Sequence, residues 1–576
     1  MADPANSAIA DALDELGDLY ELDGAIMHRV AAYHTAAKTI RDAPGSVAAL
    51  ARAGRATDLV GVGATLAEKI LALVETGEIP AAQKLRARFP EGVVAMTRLP
   101  GLGPKRARRL YDELGIDSLD ALRTAAQGER IRDLKGFGEK AEAAIITALD
   151  AGHGERPRVR TTLADALGVA EQIADGLRAD PAVVRAEVAG SARRLAETVK
   201  DLDIVVASDD PAAVVDAFAA LDLLAASERG GDGGARGQAQ NGLLVDLRLV
   251  PPASFGNLLQ HFTGSKEHNV RLRERAVRRG LHVSEHGILD DATGETHRFA
   301  TEAEVYGHLG LTFPEPELRE DRGELDPGFA APQLVSVEDL QGDLHCHTTA
   351  SDGHASIAEM ARAALDLGRR YLAITDHSAS HGFGNAVSPE ELLRQIERVR
   401  KADASVAGIR ILAGSEVNIL PDGRLDYADE LLEQLDWVVA SVHTRFQLSR
   451  AEMTARIVRA IEHPLVDALG HPTGRLLTRR PPYDVDMAAI IDAAARTGTL
   501  LEINGAPDRR DLGEVHARAA VDGGARIVID SDAHRPQTLA NVRWAVATAR
   551  RARLSAADVA TTRPWDEVAA ARPRTR

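Results

Sequence analysis

After residue 340 the chain repeats one pattern: a short apolar run ends in a residue able to hold a proton or a metal, and a helical stretch follows. The runs are YLAITDH, IRILAGSE, DWVVASVH, LVDALGH, LLEIN and RIVIDSDAH. Strand and helix units repeated in this way predict a (βα) barrel-like domain whose chemistry collects at the C-terminal strand ends.

Nine residues that could bind metal terminate or follow apolar strands in this part of the chain: His345, His347, Asp352, His377, Glu416, His443, His471, Asp532 and His534. Side chains at i and i+2 of a strand share a face, so His345 with His347, and Asp532 with His534, are placed to hold one ion together. Imidazole and carboxylate ligands suit Zn²⁺, Mn²⁺ or Fe²⁺. Nine ligands exceed the needs of one ion, so the pattern predicts up to three, with a bridging hydroxide as nucleophile for phosphoester cleavage. His354, His381, His463 and His516 read as ordinary histidines, and Cys346, alternating away from its neighbours, as a packed thiol.

Between about 155 and 251, strand-like runs (VRAEVAG, DLDIVVAS, LLVDLRLV) alternate with Ala-rich helices, an α+β pattern. Asp201 and Asp203 again share a strand face, and Asp246 lies on another run. Three converging carboxylates suit a pair of Mg²⁺ ions that bind substrate phosphates, one activating a 3′-hydroxyl and the other steadying a leaving pyrophosphate. Gly190 and Ser191 precede them; turn amides and a hydroxyl there, helped by Arg194, suit a triphosphate.

Residues 1–150 read as short amphipathic helices, for example 9–20 and 26–41, with three look-alike segments: LVGVGATLAEKI (59–70), LPGLGPKRARRL (99–110) and LKGFGEKAEAAI (134–145). Each places a Gly-x-Gly turn before a helix, at Gly61 and Gly63, Gly101 and Gly103, and Gly136 and Gly138. Backbone N–H groups exposed at such a turn hold a phosphate whatever the sequence of the nucleic acid. Lys105 and Arg106 follow the second copy, and residues 84–109 carry eight basic residues against one acid. This local patch matters because the whole chain is acidic, with net charge −17, which excludes a uniformly basic nucleic-acid coat. Only 20 of 576 residues are aromatic, so phosphate contacts rather than rows of stacked bases are expected to dominate.

One cysteine excludes intrachain disulfides, no apolar run approaches a membrane span, and the acidic start MADPANSAIADALDELGD lacks the regions of a signal peptide. A soluble, cytoplasmic protein is expected.

The string GS-x-RR-x-x-E-x-x-x-D-x-D, the downstream VDLR, FGNLLQHFTGSKEHNVRLRERA and LREDRGE together resemble a bacterial family X DNA polymerase from end to end. The nine later ligands resemble the PHP (polymerase and histidinol phosphatase) domain, in which all nine positions bind metal. The resemblance implies a multidomain α+β and α/β chain: helix-hairpin-helix domains at 1–85 and 86–155, a nucleotidyltransferase palm at 156–251, a thumb at 252–320, a linker at 321–338, and a distorted (βα)7 PHP barrel at 339–576. It implies polymerisation on gapped or primer-template DNA with dNTPs, in base excision repair, and 3′→5′ exonuclease activity, often with Mn²⁺. Abasic-site and 3′-phosphate cleavage occur in some members, and a monomer is expected. His261 and Phe262, before the Thr-Gly-Ser of Gly264 and Ser265, would flank the incoming sugar, where many relatives have Tyr-Phe. Asn269 would meet the nucleotide's minor-groove edge and Arg273 the template strand, and Lys69 stands where the family's lyase forms a Schiff base with an abasic sugar; Thr65 replaces a frequent second basic residue. Two other readings remain: a small-molecule phosphatase on a DNA-binding tether, which should lack the three aspartates, and a non-catalytic DNA scaffold with a structural metal.

Overall fold

The computed structural model describes residues 3–43, 45–97, 99, 102–150, 160–230, 234–382 and 385–573. They form two compact units, one of Met1–Val159, Asp165–Val188 and Lys200–Phe255, the other of Arg160–Ala164, Ala189–Val199 and Gly256–Arg576.

In the first unit, α1 (Asn6–Leu22) and α2 (Met27–Asp42) share a core. Ile9, Leu13, Leu16 and Leu19 line one stripe of α1 and pack with Tyr33, Ala36, Ala37 and Ile40, the three-to-four spacing that the sequence displays. The three look-alike segments each open a helix: α3 (Ala64–Thr76) and α4 (Pro104–Leu114) follow Gly63 and Gly103, and α5 (Gly138–Asp150) begins at Gly138. Gly61 and Gly136 have φ of 82° and 91°, a left-handed turn that side chains resist, which is why glycine recurs. Gly101 lies outside the described residues.

The same unit holds a sheet of β1 (Arg185–Val188), β2 (Asp201–Ala207), β3 (Leu224–Arg229), β4 (Ala235–Ala239) and β5 (Leu244–Val250), in the order β1-β2-β5-β4-β3. Only β2 and β5 run parallel; the other pairs are antiparallel.

In the second unit, α6 (Phe255–Thr263) and α7 (Lys266–Val277) precede the hairpin β6 (Leu281–Ser284) with β7 (Gly287–Asp290). Leu272, Ala276, Leu281, Ile288, Val305 and Tyr306 form the core here. The Pro-rich segment 321–336 forms no helix or strand, yet Glu324, Leu325 and Val335 are buried, and the Val335 N–H donates to the Leu554 carbonyl at 2.9 Å.

Seven strands follow: β8 (Gly342–Cys346), β9 (Tyr371–Ile374), β10 (Arg410–Asn418), β11 (Trp437–Ser441), β12 (Ala468–Leu469), β13 (Leu500–Asn504) and β14 (Ile527–Asp530). They pair in chain order, all parallel, and Cys346 meets Ala533 beyond β14, so the sheet comes back on itself as a barrel. Every residue of β8, β9, β11, β13 and β14 is buried, the reason that these runs lack alternation. Ser356 with Glu359, and Ser449 with Glu452, form capping boxes on the following helices, each contributing about 1 kcal/mol and fixing where a strand-end loop stops.

Candidate active sites

In the first unit, Asp203 lies directly opposite Asp246 in the parallel register of β2 and β5, and Asp201 stands two residues earlier opposite Leu244. The intervening Leu202 and Val245 are buried on the other face. Neighbouring strands lie about 4.8 Å apart, so the three half-exposed carboxylates share one face at a spacing one or two divalent cations bridge. The Arg236 Nε donates to Asp246 Oδ1 at 3.0 Å, a cation already drawn to the site.

The turn bearing Gly190 and Ser191 belongs to the second unit. Gly190–Arg193 makes one helical turn, with Gly190 at φ 63°. Arg194 donates through Nε to Glu320 at 2.9 Å and through Nη1 to the Thr263 carbonyl at 3.0 Å. Two of its nitrogens are thus engaged by protein groups. Arg193 is held between Thr263 Oγ1 (2.7 Å) and Glu302. Glu302 also pairs with the buried Arg319; burial would raise its carboxyl, but Arg319 and Arg193 hold it below the usual range.

Ser265 caps α7, its hydroxyl accepting from the His268 N–H at 3.1 Å. Asn269 donates through Nδ2 to the His261 carbonyl at 2.7 Å and accepts from Gln260 at 2.9 Å, so it fixes the C-terminal end of α6, which carries His261 and Phe262. A Cβ at Gly264 would lie 2.8 Å from Asn269 Oδ1, which makes that position glycine's. The exposed Arg273 reaches His261 Nδ1 at 3.4 Å, and His261 packs on Phe262 with ring centroids 5.1 Å apart.

The helix-hairpin-helix turns are less basic in space than in sequence. Arg86 pairs with Glu15, Arg88 with Asp23, Lys105 with Glu21, Arg108 with Asp112 and Arg109 with Glu113. Arg106 and Arg109 lie over the Phe137 ring of the third segment. A count of charges along 84–109 omits acids brought in by α1 and the end of α4. Such exposed pairs are weak enough for DNA phosphates to displace. Lys69 is half-buried on α3, its Nζ 3.5 Å from the Thr65 carbonyl.

The barrel gathers all nine predicted ligands. His347, Asp352, His377 and His534 present ligand atoms within 4.8 Å of one another, as do His345, His347 and Asp532, and His377, Glu416 and His443. His471 joins through Nε2, 2.8 Å from Glu416 Oε1. The chemistry fits metal: His345 Nε2 and His347 Nδ1 are buried without a hydrogen-bond partner among the described residues, yet face Glu416 at 3.3 Å and Asp352 at 3.7 Å. Burial would raise the Glu416 carboxyl; His443, His377 and His345 hold it well below the usual range. Burial, with His534 and His377 beside it, pushes His347 down to about 4, whereas burial would lower His345 but the carboxylates Glu502 and Glu416 hold it up. His471 and Asp532 have φ of 30° and 53°, backbone strain held by the surrounding structure. Gly353 matters too, because a Cβ there would meet the His347 backbone at 2.5 Å.

Two residues at this site were not singled out by sequence reasoning. Glu502 Oε1 is 2.6 Å from His345 Nδ1, and its Oε2 accepts from the His471 N–H at 2.6 Å. It fixes the tautomer that leaves His345 Nε2 toward the other ligands. The signal was there, since LLEIN ends as the other runs do. His381, read as ordinary, is buried and stacks on His377 with centroids 4.5 Å apart. Cys346 is packed as expected, its Sγ–H donating to the Ala373 carbonyl.

Comparison with known proteins matches the chain to a helix-hairpin-helix domain over residues 4–79, a SAM-like helix-hairpin-helix tandem over 93–151, the DNA polymerase beta thumb over 258–320 and the PHP domain over 343–505. A Bacillus subtilis protein named "DNA polymerase/3'-5' exonuclease PolX" is 36% identical over 541 residues, 94% of each chain. A "Probable phosphatase" of Caldanaerobacter subterraneus is 34% identical over 212 residues, 33% of this chain and 75% of its own length. Another, from Syntrophotalea carbinolica, is 30% identical over 219 residues, 36% of this chain and 86% of its own.

Proposed function

We infer, from the membership of this chain in the bacterial PolX family of family X DNA polymerases with a PHP domain, what each group of residues does. The chain is a DNA polymerase and a 3′–5′ exonuclease, and both activities depend on metal. The observation that carries the division of labour is the existence of two carboxylate-bearing sites, Asp203 facing Asp246 on one sheet and nine ligands at the ends of another.

For polymerisation, Asp201, Asp203 and Asp246 would hold two Mg²⁺ ions, which supply charge neutralisation at the 3′-hydroxyl and the pyrophosphate. Gly190, Ser191 and Arg194 receive the triphosphate of a dNTP, and the His261-Phe262 end of α6, braced by Asn269, flanks its sugar. Arg273 follows the template. Gly61, Gly63, Gly101, Gly103, Lys105, Arg106, Gly136 and Gly138 hold the DNA backbone around a gap, and Lys69 serves abasic-sugar removal.

In the barrel, His345, His347, Asp352, His377, Glu416, His443, His471, Asp532 and His534 would hold up to three Mn²⁺, Zn²⁺ or Fe ions, supplying an activated water for the terminal phosphodiester. Glu502 keeps His345 oriented, and Arg509, 3.5 Å from Asp532, offers a cation to the phosphate. The setting is gap filling in base excision repair in the cytoplasm, by a monomer. The domain division 1–85, 86–155, 156–251, 252–320, 321–338 and 339–576 is our working assignment.

A gapped duplex labelled on the primer, incubated with Mg²⁺ or Mn²⁺ with and without dNTPs, tests the whole. Lengthening with dNTPs and stepwise shortening without them are expected. Phosphate release from a 3′-phosphate with no shortening would instead favour the phosphatase reading that the shorter relatives suggest.

A further inference from the structure

Arg510 is 1% exposed, and its guanidinium donates to Thr548 Oγ1 at 2.9 Å, to the Leu195 carbonyl at 3.0 Å and to the Ala196 carbonyl at 3.3 Å. A buried cation is costly, and backbone carbonyls repay less of that cost than a carboxylate would. Here two of its three partners are carbonyls of one turn, the turn that begins with Gly190 and Ser191. Arg551, at the end of the helix Val542–Arg551, grips the same turn one residue earlier, donating to the Arg194 carbonyl at 2.7 Å while pairing with Glu320 and Glu514. Arg475 takes the next position, its Nη2 2.6 Å from Glu197. Three barrel arginines thus hold residues 194–197 in sequence.

The turn needs holding. Leu195 has φ of 57°, a left-handed conformation that a branched side chain rarely adopts and that persists only where neighbours fix it. The anchor is rigid: the segment carrying Arg510 leaves β13, the Leu512 N–H returns to the Glu502 carbonyl at 3.0 Å, and the Thr473 N–H donates to Asp511 at 2.9 Å.

We propose that Arg510, assisted by Arg551, is a positioning residue for nucleotide addition, reaching from the PHP barrel to pin residues 194–196 so that the Gly190-Ser191 turn keeps the shape that receives a nucleoside triphosphate. This rests on the assignment of Gly190 and Ser191 to the triphosphate. Removing the pin loosens the turn, so dNTP binding weakens while the chemical step is less affected. The barrel is thereby a structural part of the polymerase and not only a second enzyme on the same chain.

The test measures primer extension against dNTP concentration with the full chain. Arg510→Ala is expected to raise the KM for dNTP about tenfold with a smaller change in kcat, Arg510→Lys to recover most of it, and both to retain bound metal and exonuclease activity. Arg551→Gln should raise the KM about threefold. An unchanged KM in folded Arg510→Ala overturns the proposal, as does a rise matched by loss of metal and exonuclease activity; if that variant does not fold, an unchanged KM in Arg551→Gln does so. Ser191→Ala separates the two ideas. An unchanged KM there removes the triphosphate assignment and the proposal with it, whereas a raised KM in Ser191→Ala beside an unchanged one in Arg510→Ala removes only the pin.

Discussion

Asp203 and Asp246 are register partners on adjacent parallel strands, with Arg236 already drawn to the second carboxylate. Two carboxylates placed opposite each other repel, and a cation between them relieves that repulsion, which is the role proposed for this pair. Asp203→Asn combined with Asp246→Asn should reduce primer extension by about 10³-fold or more, the scale of several kcal/mol of lost charge stabilisation. Exonuclease activity should persist, and extension retained by the double variant would refute the assignment.

The barrel ligands predict the reverse pattern. His345→Ala with His347→Ala removes members of two of the three ligand groups. Bound metal, measured by elemental analysis, should fall and shortening of the labelled strand should stop, while dNTP-dependent extension continues. Unchanged metal content would dismiss the cluster.

Glu502 touches ligands without being one of the nine. Glu502→Gln keeps its shape but loses the charge that orients His345, and metal affinity should drop about 10–100-fold. Titration of the apoprotein with Mn²⁺ reads this directly; equal affinities would show that the ring is held by packing alone.

Lys69 should form a covalent adduct with an abasic-site duplex on borohydride reduction, and Lys69→Ala should lose it. Absence of an adduct with the unaltered protein would leave Lys69 a surface residue that the first helix-hairpin-helix segment merely carries.

Asp18 on α1 provides a pH test of the helical unit. Burial, with Asp14, Glu21 and Glu15 nearby, outweighs His34 and pushes its carboxyl up to about 6. A raised carboxyl favours the protonated form, so stability falls as pH rises from about 4 to 6 and the full penalty applies above 6. Asp18→Asn should therefore stabilise α1 and α2 at pH 7.5 by about 1–2 kcal/mol, allowing for partial exposure, and leave them unchanged below pH 4. Amide exchange in those helices measures it, because a chain of several domains does not melt in two states. Equal protection in both proteins at pH 7.5 would show that water already relieves the carboxylate.

What the sequence by itself determined is what local periodicity carries. Apolar runs ending in a polar residue and followed by helical stretches announced parallel strands, spacing of two put Asp201 with Asp203 on one face, and glycine recurred where a left-handed turn opens a helix, at Gly61 and Gly136. The nine candidate ligands stood out in the sequence because each ends or follows an apolar strand. What only the tertiary structure decided is who meets whom. The pairing of Cys346 with Ala533 brings together strands that are first and last in the barrel, and so joins His347 to Asp532 at 3.1 Å. Glu502 orients a histidine 157 residues away, acids of α1 neutralise a patch that looks bare in sequence, and Arg510 finds its acceptors 314 and 315 residues upstream. Register and closure arise from packing summed over the whole barrel, and a residue's own neighbours in the chain carry no record of that sum.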